Sequence, residues 1–217
     1  MIDLVGWLDA AAITVAGARV TWAEVLGDVS GVVCVALVAR QHVANWPIGL
    51  VNTVFWAWLF FRAKLYGDSS LQGWFFVLGC YGWWRWVAKD ARGETIHVRR
   101  TCGREWLALA ALVVPVTLGI TLFLDRFTDS PVPLADASVL TLSLAATWGQ
   151  AEKLVESWWI WITVDVISVP LYVSRGLYPT AAVYVLFGAL CVVGLRAWRR
   201  ELRGAPAIDA VPVESVA

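Results

Sequence analysis

The chain has 217 residues, of which 59% are apolar and only 16% charged, and its 17 basic and 17 acidic side chains leave no formal net charge. A soluble domain has about a quarter of its residues charged, so this chain has too little polar surface to clothe a water-soluble globule, and lipid must be its solvent. No basic excess or stripe suggests nucleic acid. The four cysteines (Cys34, Cys80, Cys102, Cys191) stand far apart without a C-x-x-C spacing and read as packing thiols rather than a zinc or redox site.

Residues 1–21 form a lead-in. It carries Asp3 and Asp9 but no early cation, so it reads as a short interfacial or loosely helical segment and not as a signal peptide. Seven apolar runs then follow: Trp22–Ala39, Trp46–Phe61, Leu71–Val87, Trp106–Leu124, Leu134–Gln150, Trp158–Val173 and Tyr178–Ala197. Each is close to the length that crosses about 30 Å of hydrocarbon as a helix. The expected class is therefore an all-α membrane protein with seven transmembrane helices. Trp46, Trp86, Trp106, Trp158 and Trp198 stand at span ends, where an amphipathic indole favours the headgroup level, and they read as belt residues, with Trp158 set apart as a ligand candidate. The segment after Gly204 has no period and reads as a disordered tail.

Among the 17 Lys and Arg residues, Arg19, Arg62, Lys64, Arg126 and Arg175 fall on the side of the N-terminus and all the others on the opposite side. That bias places the N-terminus outside and the C-terminus in the cytoplasm.

A shift of 112 residues lays Asn45–Trp86 over Ser157–Trp198 without a gap. Trp46 meets Trp158, Leu65-Tyr66 meets Leu177-Tyr178, Phe75 meets Phe187, Gly82 meets Gly194 and Trp86 meets Trp198. Arg40-Gln41 meets Glu152-Lys153, so the first and fifth spans also correspond. The expected plan is two parallel three-helix repeats joined by a linker helix (3+1+3). Bundle 22–87 is followed by loop and linker 88–130, bundle 131–198 and a basic end with tail, 199–217. Parallel repeats of this kind are typical of carriers, with the solute near the midplane between the halves.

Asp165 is the one acid deep in a span among the last six, and Trp158 and Trp161 precede it on the same helical face. A carboxylate at membrane depth faces a cavity or holds a neighbouring helix. Asn52 in the second span, Gln72 in the third and Tyr184 in the seventh are further polar candidates, though such a residue taken singly is more often interhelical glue than a ligand contact. Together these groups suit a flat, cationic, aromatic or sugar-bearing solute, because indole faces attract cations. There is no G-x-x-x-x-G-K-[ST] and no nucleophile or metal constellation, and His42 and His97 both lie in loops, so no enzyme, cofactor or metal is expected.

Three strings carry a resemblance: Asn45-Trp46-Pro47-Ile48-Gly49, Lys64-Leu65-Tyr66-Gly67-Asp68-Ser69-Ser70-Leu71-Gln72, and Tyr81-Gly82-Trp83-Trp84-Arg85-Trp86. With Glu156 to Ser168, Gly176-Leu177-Tyr178 and Tyr184, the chain resembles the PnuC family of vitamin transporters from its first span to Trp198. The resemblance implies a SWEET-like carrier in the inner membrane, assembled as a homotrimer, that takes up nicotinamide riboside by facilitated diffusion with phosphorylation trapping in the cytosol. Relatives carry thiamine or riboflavin. The family's ligand positions match Gln72, Trp158, Trp161, Asp165 and Tyr184, and Asn52 is added from the reading of the second span. Where the family commonly reads Glu-Asn-Trp, this chain reads Glu156-Ser157-Trp158, losing an amide that could fix a polar group of the vitamin. A proton-coupled carrier, or a membrane sensor or scaffold without flux, are the alternatives.

Overall fold

The computed structural model describes residues 10–15, 18–62, 66–88, 93–128 and 131–204. The tail after Gly204, the first part of the lead-in, the Lys64-Leu65 turn positions and the stretch from Lys89 to Arg92 lie outside the described residues.

Among the described residues, seven helices make up the body: α1 (Trp22–Ala39), α2 (Asn45–Arg62), α3 (Tyr66–Val87), α4 (Gly103–Phe127), α5 (Pro133–Ala151), α6 (Ser157–Ser174) and α7 (Tyr178–Gly204). Four of them, α1, α4, α6 and α7, are long and apolar enough to cross a membrane. The other three contain Asn, Thr, Gln and many tryptophans, and much of that polarity faces inward. Outward-facing side chains such as Val51, Trp74, Leu107, Phe127 and Val166 are well exposed, which suits a lipid-facing surface.

The expected interfacial or loosely helical lead-in falls in large part outside the described residues, and its described part, residues 10–15 and 18–21, is extended. Ala11–Val15 (β1) and Ala18–Thr21 (β2) pair antiparallel, because this stretch is rich in β-branched Ile13, Thr14, Val15, Val20 and Thr21. Thr21 ends the hairpin and caps α1. Its hydroxyl accepts from the Glu24 amide (3.3 Å), and the Glu24 carboxylate accepts from the Thr21 amide (2.7 Å). Glu105 plays the same part at the start of α4, accepting from the Cys102 amide at 2.9 Å, and Pro133 opens α5 where its missing N–H costs nothing.

In the packing, α1 lies on α2 and α7, α5 lies on α6 and α3, and α4 packs on α5. Contacts recur at the 112-residue offset. Trp46 and Trp86 meet edge to face at 5.4 Å and 85°; Trp158 and Trp198 do so at 5.4 Å and 86°. The Trp86 indole N–H donates to the Gln150 carbonyl at 3.1 Å, and that of Trp198 to the Val38 carbonyl at 3.2 Å, each reaching the other half of the chain. Gln41 and Lys153 both adopt the left-handed backbone, at φ 54° and 52°.

These contacts correct the belt assignment. Trp46, Trp86, Trp158 and Trp198 are no more than 6% exposed and form a closed aromatic layer at one end of the bundle, whereas Trp106 is 44% exposed. The indoles fit inside because Gly82 and Gly194 present bare backbone to Trp46 and Trp158; an added Cβ would come within 2.2 and 2.4 Å of the rings. For Trp86 and Trp198 the carbonyl acceptors satisfy the one polar atom that burial would otherwise penalise.

Candidate functional site between the helices

Above the aromatic layer lies a cavity of about 330 Å³ walled by every helix except α4. All six expected residues stand on its wall: Asn52 from α2, Gln72 from α3, Trp158, Trp161 and Asp165 from α6, and Tyr184 from α7. They are brought together because α2, α6 and α7 turn their polar stripes inward and expose Val51, Val166 and Val185 outward.

The six are not equivalent. Asp165 is 5% exposed, and its Oδ2 has no hydrogen-bond partner among the described residues. Gly188 opposite keeps the space beside it, since an added Cβ there would already touch the carboxylate at 3.6 Å. The Trp161 indole N–H is likewise buried and unpartnered. Trp158 is fully buried and belongs mainly to the floor, with its ring against Gly194 and Trp198. Asn52 is an interhelical clamp: its amide donates to the Gly27 carbonyl at 3.0 Å and to the Ser30 hydroxyl at 2.6 Å, leaving only its oxygen for a solute. Tyr184 is set by ring contacts with Tyr172 at 5.0 Å and Phe187 at 5.8 Å.

Other residues on the sequence stripes go elsewhere. Trp159 faces outward under Arg199, Trp83 is 41% exposed, and Ser168 is buried outside the cavity. Ser157 does not line the cavity either. Its hydroxyl donates to the Leu154 carbonyl at 2.7 Å, as Asn45 at the matched position donates to the His42 carbonyl at 2.8 Å. Ser157 thus makes the turn bond that Asn45 makes at the matched position, although Asn45 also lines the cavity. Phe75, Phe187, Cys34 and Cys191 also line the cavity; an apolar residue in an apolar run gives no sign of this, though the matched Phe75 and Phe187 are such a sign in the repeat.

The floor is braced by a polar lock that sequence reasoning misses. Glu152, in the turn between α5 and α6, accepts from Arg85 at 3.0 and 3.1 Å and from the Tyr81 hydroxyl, and Arg99 lies 3.7 Å away. The strand-like stretch at Arg99 exchanges backbone bonds with Lys153 and Val155 at 3.0 Å, and Glu156 accepts from Thr101 at 2.8 Å. Gln41 receives a bond from Lys153 at 3.0 Å and gives one to Glu201. These bonds between the halves lie at the floor end.

Burial alone would push the Glu152 carboxyl up, but the bonds from Arg85 and Tyr81 and the nearby Arg charges outweigh it and hold it below its ordinary 4.5. Such a depressed group contributes stability that is present above pH 4.5 and is lost as pH falls through its folded value. The thermal midpoint of the purified protein is therefore expected to drop on acidification below pH 4.5. In Glu152→Gln this acid-dependent loss should shrink, and at neutral pH the variant should be less stable by on the order of 2 kcal/mol. An unchanged acid profile in that variant would remove Glu152 as the cause.

A multi-pass helical protein with an aromatic and polar cavity between its helices, closed at one end, has the architecture of a membrane transporter. A family model described as nicotinamide mononucleotide transporter matches residues 21–200, and the chain belongs to that family. It is 24% identical over 212 residues to the nicotinamide riboside transporter PnuC of Escherichia coli (strain K12), covering 86% of this chain and 89% of that one. It is 30% identical over 215 residues to the riboflavin/roseoflavin transporter RibM of Streptomyces davaonensis, covering 93% of this chain and 99% of that one. Its fold matches the crystal structure of the vitamin B3 transporter PnuC with a TM-score of 0.66 at 22% identity, over 84% of this chain and 82% of that one. The named relatives are transporters, not enzymes.

Proposed function

We propose that this protein facilitates the uptake of a nucleoside-like vitamin across the inner membrane, nicotinamide riboside first. The observation that carries this reading is the buried Asp165 carboxyl group, with its Oδ2 unpartnered, beside the Trp161 indole on the cavity wall. A pyridinium ring stacked on Trp161 and edged by Trp158 would bring its charge to Asp165. Gln72, Tyr184 and the Asn52 oxygen would take the sugar hydroxyls. The PnuC relatives support this substrate. A flavin is the second reading, favoured by the 30% identity to a riboflavin/roseoflavin transporter, and thiamine remains a further member of the same chemical range. A membrane sensor or scaffold without flux is the rival from outside transport.

We read the seven helices as two parallel three-helix repeats, α1–α3 and α5–α7, joined by α4 in a SWEET-like plan. The matched tryptophan pairs, glycines and left-handed turns at the 112-residue offset support it. With the N-terminus outside, as the excess of Lys and Arg at the other end favours, the lock and aromatic layer close the cavity toward the cytoplasm. Release then requires one bundle to rock on the other about Pro47, Pro170 and the glycines, parting the floor. Phosphorylation of the vitamin in the cytosol would make net uptake one-way, and assembly as a homotrimer follows from the family resemblance.

Counterflow into liposomes carrying the purified protein tests the reading. Labelled nicotinamide riboside is expected to exchange against an unlabelled internal pool and to equilibrate without a gradient. Accumulation driven by a pH gradient, abolished in Asp165→Asn, would establish proton coupling in place of facilitation. Absence of flux for every vitamin alongside an intact fold would favour the sensor.

A further inference from the structure

A second cavity of about 440 Å³ opens at the end of the bundle opposite the aromatic floor, between the start of α1, the end of α2, the end of α6 and the start of α7. It adjoins the inner cavity: Gly31, Asn52, Trp56, Gln72, Tyr184 and Phe187 line both. Its wall carries two carboxylates one helical turn apart, Glu24 and Asp28, and no Lys, Arg or His among the described residues lines either cavity.

The two acids differ in what holds them. Glu24 is tied into the α1 cap through Thr21. Asn52 uses its amide hydrogens on Gly27 and Ser30, on either side of Asp28, and not on Asp28 itself. Two aromatic pairs line the same cavity as Asp28. Trp56 and Phe60 stack at 5.5 Å and 28°, and Trp56 lies against bare backbone at Gly27, where an added Cβ would come within 2.3 Å of the ring. The Tyr172–Tyr184 pair, 5.0 Å between centroids, stands on the wall formed by α6 and α7. On the wall of the adjoining inner cavity Asp165, 5% exposed with an unpartnered Oδ2, is the next carboxyl group.

We infer that Asp28, lining one cavity with these aromatic pairs and Glu24, is an outer capture site for a cationic heteroaromatic ring, which then passes to Asp165. Acids at membrane depth mark substrate and ion paths, a cleft lined by acids alone concentrates cations, and the ring faces add cation–π attraction at the mouth. Capture at Asp28 raises the local concentration of a positively charged vitamin before the inner cavity binds it. The inference rests on the vitamin-carrier reading and adds to it a charge requirement outside the inner cavity.

The test is liposome uptake by the wild type, Asp28→Asn and Asp28→Glu. Two cations, nicotinamide riboside and thiamine, are compared with neutral riboflavin at low and high ionic strength. For the carried cation, Asp28→Asn is expected to raise KM by about 5- to 10-fold and to flatten its dependence on salt, and Asp28→Glu to restore both. If the wild type moves a cation but Asp28→Asn leaves KM and its salt dependence within twofold, the capture site is wrong and the carrier reading stands. A KM rise that Asp28→Glu fails to rescue, or one equal for riboflavin and the cations, makes Asp28 a packing residue and overturns the inference. A wild type that moves only riboflavin overturns it together with the nicotinamide riboside assignment. A wild type that moves none of the three overturns both readings.

Discussion

Trp161→Ala is expected to weaken binding of the transported vitamin by about 5- to 150-fold, the range given by loss of about 1–3 kcal/mol of ring stacking, with little change in thermal midpoint. The contrast with its neighbour sharpens the expectation. Trp161 is only partly buried and its face borders the cavity, so truncation widens a space that already exists. Trp158, one turn earlier on the same face, is 0% exposed and seated in the floor. Trp158→Ala is expected to lower stability by about 3–5 kcal/mol, with any loss of binding secondary to unfolding. Calorimetric titration paired with thermal melts separates the two. Equal losses of stability in both variants would show that Trp161 is a core residue as well, and undamaged binding in Trp161→Ala would move the site elsewhere.

Gly194→Ala is the second large effect. The added Cβ would lie 2.4 Å from the Trp158 ring, and that ring cannot retreat, because Trp198 packs against it edge to face at 5.4 Å. Overpacking of this kind costs about 1–3 kcal/mol, and Gly82→Ala, 2.2 Å from Trp46, should behave alike. Gly73 and Gly119 meet nothing within 4 Å, so alanine there should be neutral or stabilising by up to about 1 kcal/mol. The order of thermal midpoints among these four variants checks the account. Gly194→Ala melting at or above the wild type would mean that the tryptophan and glycine contact is not tight.

The helices are legible in the sequence because each apolar run is punctuated by charges or by Gly, Pro and Asn. The expected Trp22–Ala39 coincides with α1 and the other spans differ mainly at their ends. The hairpin before α1 is too short a run of β-branched residues to stand out beside an apolar lead-in. The tryptophans at span ends are ambiguous for a physical reason: an indole suits both the headgroup layer and a buried seat beside a glycine. The matched Gly82 and Gly194 carry the deciding signal, but only once the neighbouring helices are known to touch. The inward stripe of Asp165 and Trp161 is legible because a buried acid is rare in a span. The Glu152 lock is not, since its partner Arg85 lies 67 residues away at the end of another span, where a cation also reads as an ordinary positive-inside charge. Ser157 makes a turn bond like that of Asn45 at the matched position, a likeness that the repeat shows and the single residue does not.

The most direct measurement is calorimetric titration of the purified protein with nicotinamide riboside, thiamine and riboflavin, repeated on Asp165→Asn. The account predicts saturable one-site binding of nicotinamide riboside that Asp165→Asn weakens by at least tenfold while the protein stays folded. Binding of nicotinamide riboside that is indifferent to Asp165, or no saturable binding of any of the three vitamins, would contradict it.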